Sequence, residues 1–188
     1  MTRKKSTGII FSALFAAIIS VGCFIQIPLP SGIPIVLQDM FAMMAGLLLG
    51  PIYGTLSVLV FLIIGCLGLP VFSGKAGIQV LFGAPTCGFL IGYLVSAFVG
   101  GLFLHFLLSD KKTHSNFHSY LMIAAASVLA SVVLFALGLL GFMHVTNSSF
   151  SKAFSVVVIP FLPGNLIKIF VMVPVTKKLR PIVNNYIK

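Results

Sequence analysis

Long uncharged stretches dominate the chain. Residues 6–38, 40–74, 76–109 and 113–151 contain no Asp, Glu, Lys or Arg, and each stretch is more than 30 residues long. A helix needs about 20 predominantly apolar residues to cross the hydrocarbon core of a bilayer. The strands of a membrane barrel require apolar positions to alternate with polar ones. These stretches show no such alternation. Since only helices and closed barrels satisfy every backbone group in lipid, the pattern predicts a helical membrane protein.

Glycine and proline divide these stretches into six predicted membrane helices. Gly50 and Pro51 predict a tight turn between the second and third, because glycine tolerates unusual backbone angles and proline lacks a backbone donor. The chain is therefore predicted to be an all-α polytopic membrane protein, in which residues 1–188 form a single integral membrane domain. The predicted helices cover residues 8–27, 37–49, 52–69, 85–108, 119–143 and 163–176.

The segments between these helices indicate a ligand pocket. Segments 28–37, 68–85 and 144–164 are apolar and rich in glycine and proline, and the order of six helices puts all three on one side. Irregular backbone at membrane depth is tolerated only where it is buried in protein or lines a cavity. We therefore predict a compact bundle with a pocket on the outer side and segment 28–37 as a candidate lid; ordinary loops are the alternative.

The placement of charge predicts the orientation. Charged residues make up 7% of the chain, against about 25% in soluble domains. Nine of the twelve basic residues fall in three clusters on one side of the predicted bundle, at both termini and after the fourth helix. Cytoplasmic loops carry such an excess, so both termini are predicted to be cytoplasmic. The net charge of +10 then needs no nucleic-acid partner.

Lys168 is the residue that most directly indicates a binding site. It lies inside the sixth predicted helix, where a lysine costs about 2.5–3.5 kcal/mol on insertion scales. Its ammonium suits an anionic ligand such as a carboxylate; the alternative is a side chain that snorkels to the interface. Asn165 lies on nearly the same helical face and is either a ligand contact or a helix cap. Gln38 and Gln79, beside the irregular segments, have amides that can donate and accept at a neutral polar group.

The acidic residues and cysteines argue against catalysis. Asp39, one of two acids, is predicted to pair with Lys75 or Lys152 or to cap the short second helix, a structural role rather than ligand contact. The three cysteines form no CxxC pair, and no metal-ligand set, Walker motif or nucleophile–base pair is present in the sequence. We therefore predict that the chain is not an enzyme and binds no metal.

Four stretches resemble the biotin-specific substrate-binding (S) components of energy-coupling factor (ECF) transporters, the BioY family. The likeness covers nearly the whole chain, in the same order, and the last two motifs are the more specific. One departure is Asn165, where the family motif usually has Asp. The stretches are Ile-Pro-Leu-Pro at 27–30 running on to Gln38, Gly-Pro at 50–51, Gly-Leu-Pro-Val-Phe-Ser-Gly at 68–74 with Gly-Ala-Pro-Thr-Cys-Gly at 83–88, and Phe-Leu-Pro-Gly-Asn-Leu-Ile-Lys at 161–168.

The resemblance implies high-affinity binding and uptake of biotin at a bacterial cell membrane, without a cofactor. It implies that Lys168 binds the carboxylate, with partners comprising a transmembrane coupling subunit and two ATP-hydrolysing subunits. Ala13 and Ala17 match the small-residue motif by which the first helix docks on the coupling subunit. The candidate ligand contacts besides Lys168 are Asn165, Gln79, Thr86, Gln38, Phe72 and Tyr93.

Two alternatives remain open from the sequence. The ligand is another small anionic vitamin, or the chain is a membrane structural or assembly subunit with no ligand of its own. In the second case Lys168 is a contact between subunits, and the ridges of small residues in the helices are the functional surfaces.

Overall fold

The predicted helical architecture is confirmed. A computed structural model of the chain describes residues 3–27, 34–108 and 116–187. Within these residues, five helical stretches are long and apolar enough to cross a membrane. The helices are α1 (Arg3–Val21), α2 (Gln38–Cys66), α3 (Ile78–Gly83), α4 (Cys87–Leu107), α5 (Asn116–Thr146), α6 (Phe150–Val157) and α7 (Leu162–Ile187).

Helix α2 reverses its direction at Gly50. This residue has φ +82° and ψ −179°, angles that lie far from those of an α-helix. A Cβ atom added to Gly54 would lie 2.5 Å from the carbonyl oxygen of Ala45, although nine residues of a straight helix span about 13 Å. Segments 38–49 and 51–66 therefore pack against each other as a hairpin, and the predicted tight turn is confirmed. Six membrane crossings stay a prediction, since the first segment rises only about 18 Å.

One end of the bundle, called the terminal end, holds both chain termini and the reversal in α2. The rings of Phe11 and Tyr186 lie 6.5 Å apart, which brings the first and last helices together there. The Ser12 hydroxyl donates to the carbonyl oxygen of Tyr53, just after the reversal, at 2.9 Å. The opposite end, called the pocket end, gathers the described parts of the three irregular segments, as predicted.

The pocket end contains short elements that the sequence pattern did not predict. Strands β1 (Gln26–Ile27) and β2 (Ile35–Val36) pair antiparallel, which holds the ends of the candidate lid together. Residues 28–33, the rest of that lid, lie outside the described residues. The segment predicted to be irregular before the last helix contains α6, and α7 extends well past the predicted end at residue 176. Its polar C-terminal part carries little hydropathy signal, which explains the shorter prediction.

Glycine lets the central helices approach closely. Gly46 of α2 lies against the carbonyl of Ala97 on α4, and Gly88 of α4 lies against the carbonyl of Leu137 on α5. A Cβ atom at either glycine would overlap a backbone oxygen, so a larger residue would force the helices apart. This packing sets the spacing of α2, α4 and α5, the helices from which much of the pocket end is built.

Candidate functional site

Lys168 and Asp39 form a buried ion pair that joins α7 to the first turn of α2. The Lys168 Nζ lies 2.7 Å from both carboxylate oxygens of Asp39 and donates to the carbonyl oxygen of Val36, also at 2.7 Å. These three acceptors account for the three donors of an ammonium group. The predicted pairing of Asp39 with Lys75 or Lys152 is wrong, because the packing of α2 beside α7 brings the buried ammonium of Lys168 to the Asp39 carboxylate.

A cavity of about 30 Å³ lies beside this ion pair, at the pocket end. Asp39 contributes to its wall, whereas Lys168 reaches the cavity only through its contacts with Asp39 and Val36. The walls come from five parts of the chain: the segment before α2, the first turn of α2, the loop after α2, the start of α4 and the turn before α7. The lining residues are Pro34, Val36, Gln38, Asp39, Phe72, Ser73, Thr86, Phe89, Leu90, Tyr93 and Phe161.

Gln38 supplies an unsatisfied acceptor to this site. Its side chain is fully buried, and its Nε2 donates to the carbonyl oxygens of Ile19 at 3.2 Å and Val71 at 2.8 Å. Because both partners can only accept, the amide nitrogen must face them, and the orientation of the amide is set. Its Oε1 is buried and has no donor among the described residues. A buried polar atom without a partner is rare in proteins and suits a ligand donor.

Aromatic rings form much of the remaining wall. Phe72 packs edge-on against Phe61, with ring centroids 5.5 Å apart, and Tyr93 lies 6.4 Å from the same ring. Phe89 and Phe161 stack with centroids 6.1 Å apart. These last two residues were not predicted. Phe89 lies one helical turn before Tyr93, so the i, i+4 spacing could have indicated it. Phe161 is the first residue of the motif at 161–168, which could have indicated it as well.

The other predicted polar contacts are placed differently. Thr86 is half-buried and lines the cavity, immediately before α4. Gln79 on α3 is exposed and lies outside the lining. Asn165 is buried but faces α5, where its Oδ1 accepts a hydrogen bond from the hydroxyl of Ser131 at 3.3 Å. The three-residue offset from Lys168 leaves the two side chains about 60° apart around α7, enough to face different helices.

Ala13 and Ala17 lie on an outward face of α1. Both are exposed, together with the neighbouring Ile10 and Leu14. In contrast, Ala16 is buried against the bundle. The two predicted docking residues are thus free of intramolecular packing and lie one helical turn apart on a surface suited to close approach of another helix.

Comparisons with known proteins agree with this architecture. The family model described as the BioY family matches residues 1–185. A biotin transporter BioY of Thermotoga maritima is 38% identical over 173 residues, which cover 92% of this chain and 95% of that protein. A biotin transporter BioY of Rhodobacter capsulatus is 37% identical over 171 residues, covering 84% of this chain and 85% of that protein.

A solved structure extends the likeness to three dimensions. The crystal structure of the S-component for biotin from an ECF-type ABC transporter superimposes with a TM-score of 0.84, at 31% sequence identity and over 100% of both chains. The helical fold of the chain agrees with that structure, and the family model matches nearly every residue. The chain therefore belongs to the BioY family.

Proposed function

We propose that this chain binds biotin and serves as the substrate-binding component of an ECF-type biotin transporter. The carrying observation is the buried polar group formed by Gln38, Asp39 and Lys168 at the wall of an aromatic cavity. Biotin combines a carboxylate, a neutral ureido ring and an apolar body, and each part has a matching partner in this arrangement. The names of the relatives and of the superimposed structure support the same ligand.

The acceptors of the site suit the ureido ring. The ureido N–H groups need acceptors, and Gln38 Oε1 is buried without a donor. Asp39 reaches the cavity as well. The ureido carbonyl needs donors, and Thr86 carries a hydroxyl on the opposite wall at the start of α4. Filling these positions removes the cost of a buried unsatisfied acceptor, about 1–3 kcal/mol.

Lys168 is proposed to bind the biotin carboxylate. Its ammonium is already fully engaged, so the carboxylate replaces the carbonyl of Val36 or one oxygen of Asp39. Either exchange keeps three acceptors on the ammonium. Because Val36 belongs to β2, the first of these exchanges would release the contact between that strand and α7. The walls must separate in any case, since ligand pockets measure about 300–1,000 Å³ and this cavity is about 30 Å³.

The outward face of α1 is the proposed contact with the transport machinery. Ala13 and Ala17 dock on a transmembrane coupling subunit that carries two ATP-hydrolysing subunits. The excess of basic residues near both termini supports a cytoplasmic location for the termini and an outer location for the pocket end. Biotin then binds from outside, and hydrolysis of ATP by the partners drives its release into the cell. The proposed location is a bacterial cell membrane.

Titration of the purified chain with radiolabelled biotin tests the proposal. The full chain alone, in a neutral detergent, should bind saturably near one biotin per chain. A panel of other anionic vitamins should compete poorly. Folded protein without saturable binding would overturn the proposal and favour a structural subunit, and preferential binding of another vitamin would overturn the choice of biotin.

Comparison of biotin with biotinamide tests the role of Lys168. The amide lacks the negative charge, so the native chain should prefer biotin by roughly 10- to 100-fold. Lys168→Met should abolish that preference, and Lys152→Met, at an exposed lysine of α6, should retain it. Because the single variant leaves Asp39 unpaired, the double variant Asp39→Asn, Lys168→Met provides a second sample free of that charge. Full retention of the preference in both Lys168 variants contradicts carboxylate binding by Lys168.

A further inference from the structure

A second, larger cavity lies at the terminal end of the bundle, opposite the candidate biotin pocket. It measures about 400 Å³ and is enclosed by α4, α5 and α7. Its polar lining comes mostly from α7, through Thr176, Lys177, Arg180 and Asn184. Neither the family motifs nor the proposed transport function uses these residues.

Two buried side chains of this cavity each have one polar atom without a hydrogen-bond partner among the described residues. Arg180 is only 7% exposed, and the atom concerned is its Nη1. Thr176 is fully buried, and the atom concerned is its Oγ1. The two residues are four positions apart, which puts them one above the other on one face of α7. A buried guanidinium nitrogen without a partner is unfavourable, so this part of the cavity suits a ligand that accepts hydrogen bonds.

The lining selects an anion. Arg180 and Lys177 contribute two positive charges, and His105 at the rim can add a third donor. None of the described lining residues is acidic. The planar guanidinium fork matches the oxygens of a phosphate in a bidentate contact, and a threonine hydroxyl can donate to a third oxygen.

The surroundings indicate that the cavity opens at the level of lipid headgroups. Lys177 Nζ lies 5.9 Å from the centre of the Tyr120 ring, at the start of α5. Tyr120, Phe106 and Phe117 are exposed near the same ends of α4 and α5. Exposed aromatic residues collect at the membrane–water interface, and basic pockets between membrane helices bind acidic lipid headgroups.

We propose that this cavity binds a phosphate group, which Arg180 and Thr176 hold directly. Two sources share that chemistry: the headgroup of an anionic phospholipid, and free phosphate or a small phosphate ester from the aqueous side. The aromatic rim favours the lipid. A bound headgroup satisfies the two buried polar atoms and fastens α7 to α4 and α5 at the terminal end.

Native mass spectrometry of the full chain, with lipid added in a neutral detergent, tests the site. Dioleoylphosphatidylglycerol should bind near one per chain, and dioleoylglycerol, with the same acyl chains but no phosphate, should not. Arg180→Gln should weaken phosphatidylglycerol binding by at least tenfold. The matched control is Lys178→Gln, which removes the same charge from an exposed neighbour outside the cavity and should change binding less than twofold. An equal loss in both variants overturns the proposal, because it indicates unspecific attraction to basic surface.

A second substitution distinguishes loss of the site from loss of binding caused by misfolding of Arg180→Gln. Thr176→Val keeps the shape of the side chain and removes only the hydroxyl, so binding should fall several-fold with an unchanged melting temperature in lipid-free detergent. Native affinity in both Arg180→Gln and Thr176→Val overturns the proposal, as does a native chain that binds neither phosphatidylglycerol nor inorganic phosphate. Displacement of the lipid by millimolar inorganic phosphate, dependent on Arg180, supports the site with the soluble source; resistance to displacement supports the lipid.

Discussion

The ammonium of Lys168 lies 2.7 Å from both carboxylate oxygens of Asp39, although the two residues are 129 positions apart in the chain. The pair fastens the last helix to the beginning of α2 and forms the charged part of the candidate pocket wall. The carboxylate that neutralises Lys168 comes from α2, whereas position 165 of α7, which is Asn in this chain, faces α5.

Breaking this ion pair from one side should destabilise the fold strongly. Asp39→Asn leaves a buried ammonium without a counter-charge, which typically costs about 3–5 kcal/mol. The double variant Asp39→Asn, Lys168→Met should lose much less than the sum of the two single variants, because neither charge is then left alone. Chemical denaturation in mixed micelles measures the free energy of unfolding of the native chain, of each single variant and of the double variant, which together form a double-mutant cycle. Additive losses would mean that the two residues do not interact, contrary to the observed distance.

The amide of Gln38 should stabilise the fold through the two hydrogen bonds that its nitrogen donates. Gln38→Leu removes the donor from the carbonyls of Ile19 and Val71, at about 1–3 kcal/mol for each group left unsatisfied. Gln38→Glu should be worse, because a carboxylate turns acceptors toward two carbonyl oxygens. Gln79→Glu, the same change at an exposed site, serves as control and should have little effect. Thermal unfolding in detergent ranks the variants, and a Gln38→Glu variant as stable as native protein contradicts the assigned contacts.

The reversal at Gly50 should reject any side chain for conformational reasons alone. A Cβ atom there meets no atom within 4 Å, but the backbone has φ +82°, a region that is essentially restricted to glycine at this ψ. Gly50→Ala should therefore cost about 1–3 kcal/mol. Gly83 at the end of α3 also has open space around it and no positive φ, so Gly83→Ala should be neutral or slightly stabilising. Equal melting temperatures of the two variants would rule out strain as the reason for glycine at position 50.

Two of the predicted ligand contacts, Thr86 and Gln79, lie at different distances from the cavity wall, so they should differ in their effect on biotin affinity. Thr86 lines the cavity, whereas Gln79 is exposed on α3. Thr86→Val should reduce biotin affinity by roughly tenfold, the value of one hydrogen bond to a ligand, without changing the fold. Gln79→Ala should leave the affinity within twofold, because this side chain is exposed and lies outside the cavity lining. A larger effect of Gln79→Ala would show that α3 closes over the ligand.

Several features of this protein follow from local sequence. The length of the uncharged stretches, together with their lack of alternation, requires membrane helices, because barrel strands alternate apolar and polar residues. Gly50 followed by Pro51 is a local breaker, so the hairpin in α2 was predictable. Lys168 was identifiable as a residue that needs a buried partner, because a charge within an apolar helix is costly wherever the helix packs.

Tertiary packing decided the rest. Asp39 was assigned the wrong partner, since which lysine meets a carboxylate depends on the rotation of α2 and α7 about their axes, and an all-apolar helix has no polar face to report that rotation. The same rotation turns Asn165 toward α5 rather than the cavity, and the turn before α7 contributes Phe161 to the cavity wall. Arg180 looked like one more cytoplasmic charge in the sequence. Only the packing of α7 against α4 and α5 buries its guanidinium beside Thr176, because burial is a property of neighbouring helices and not of the residue.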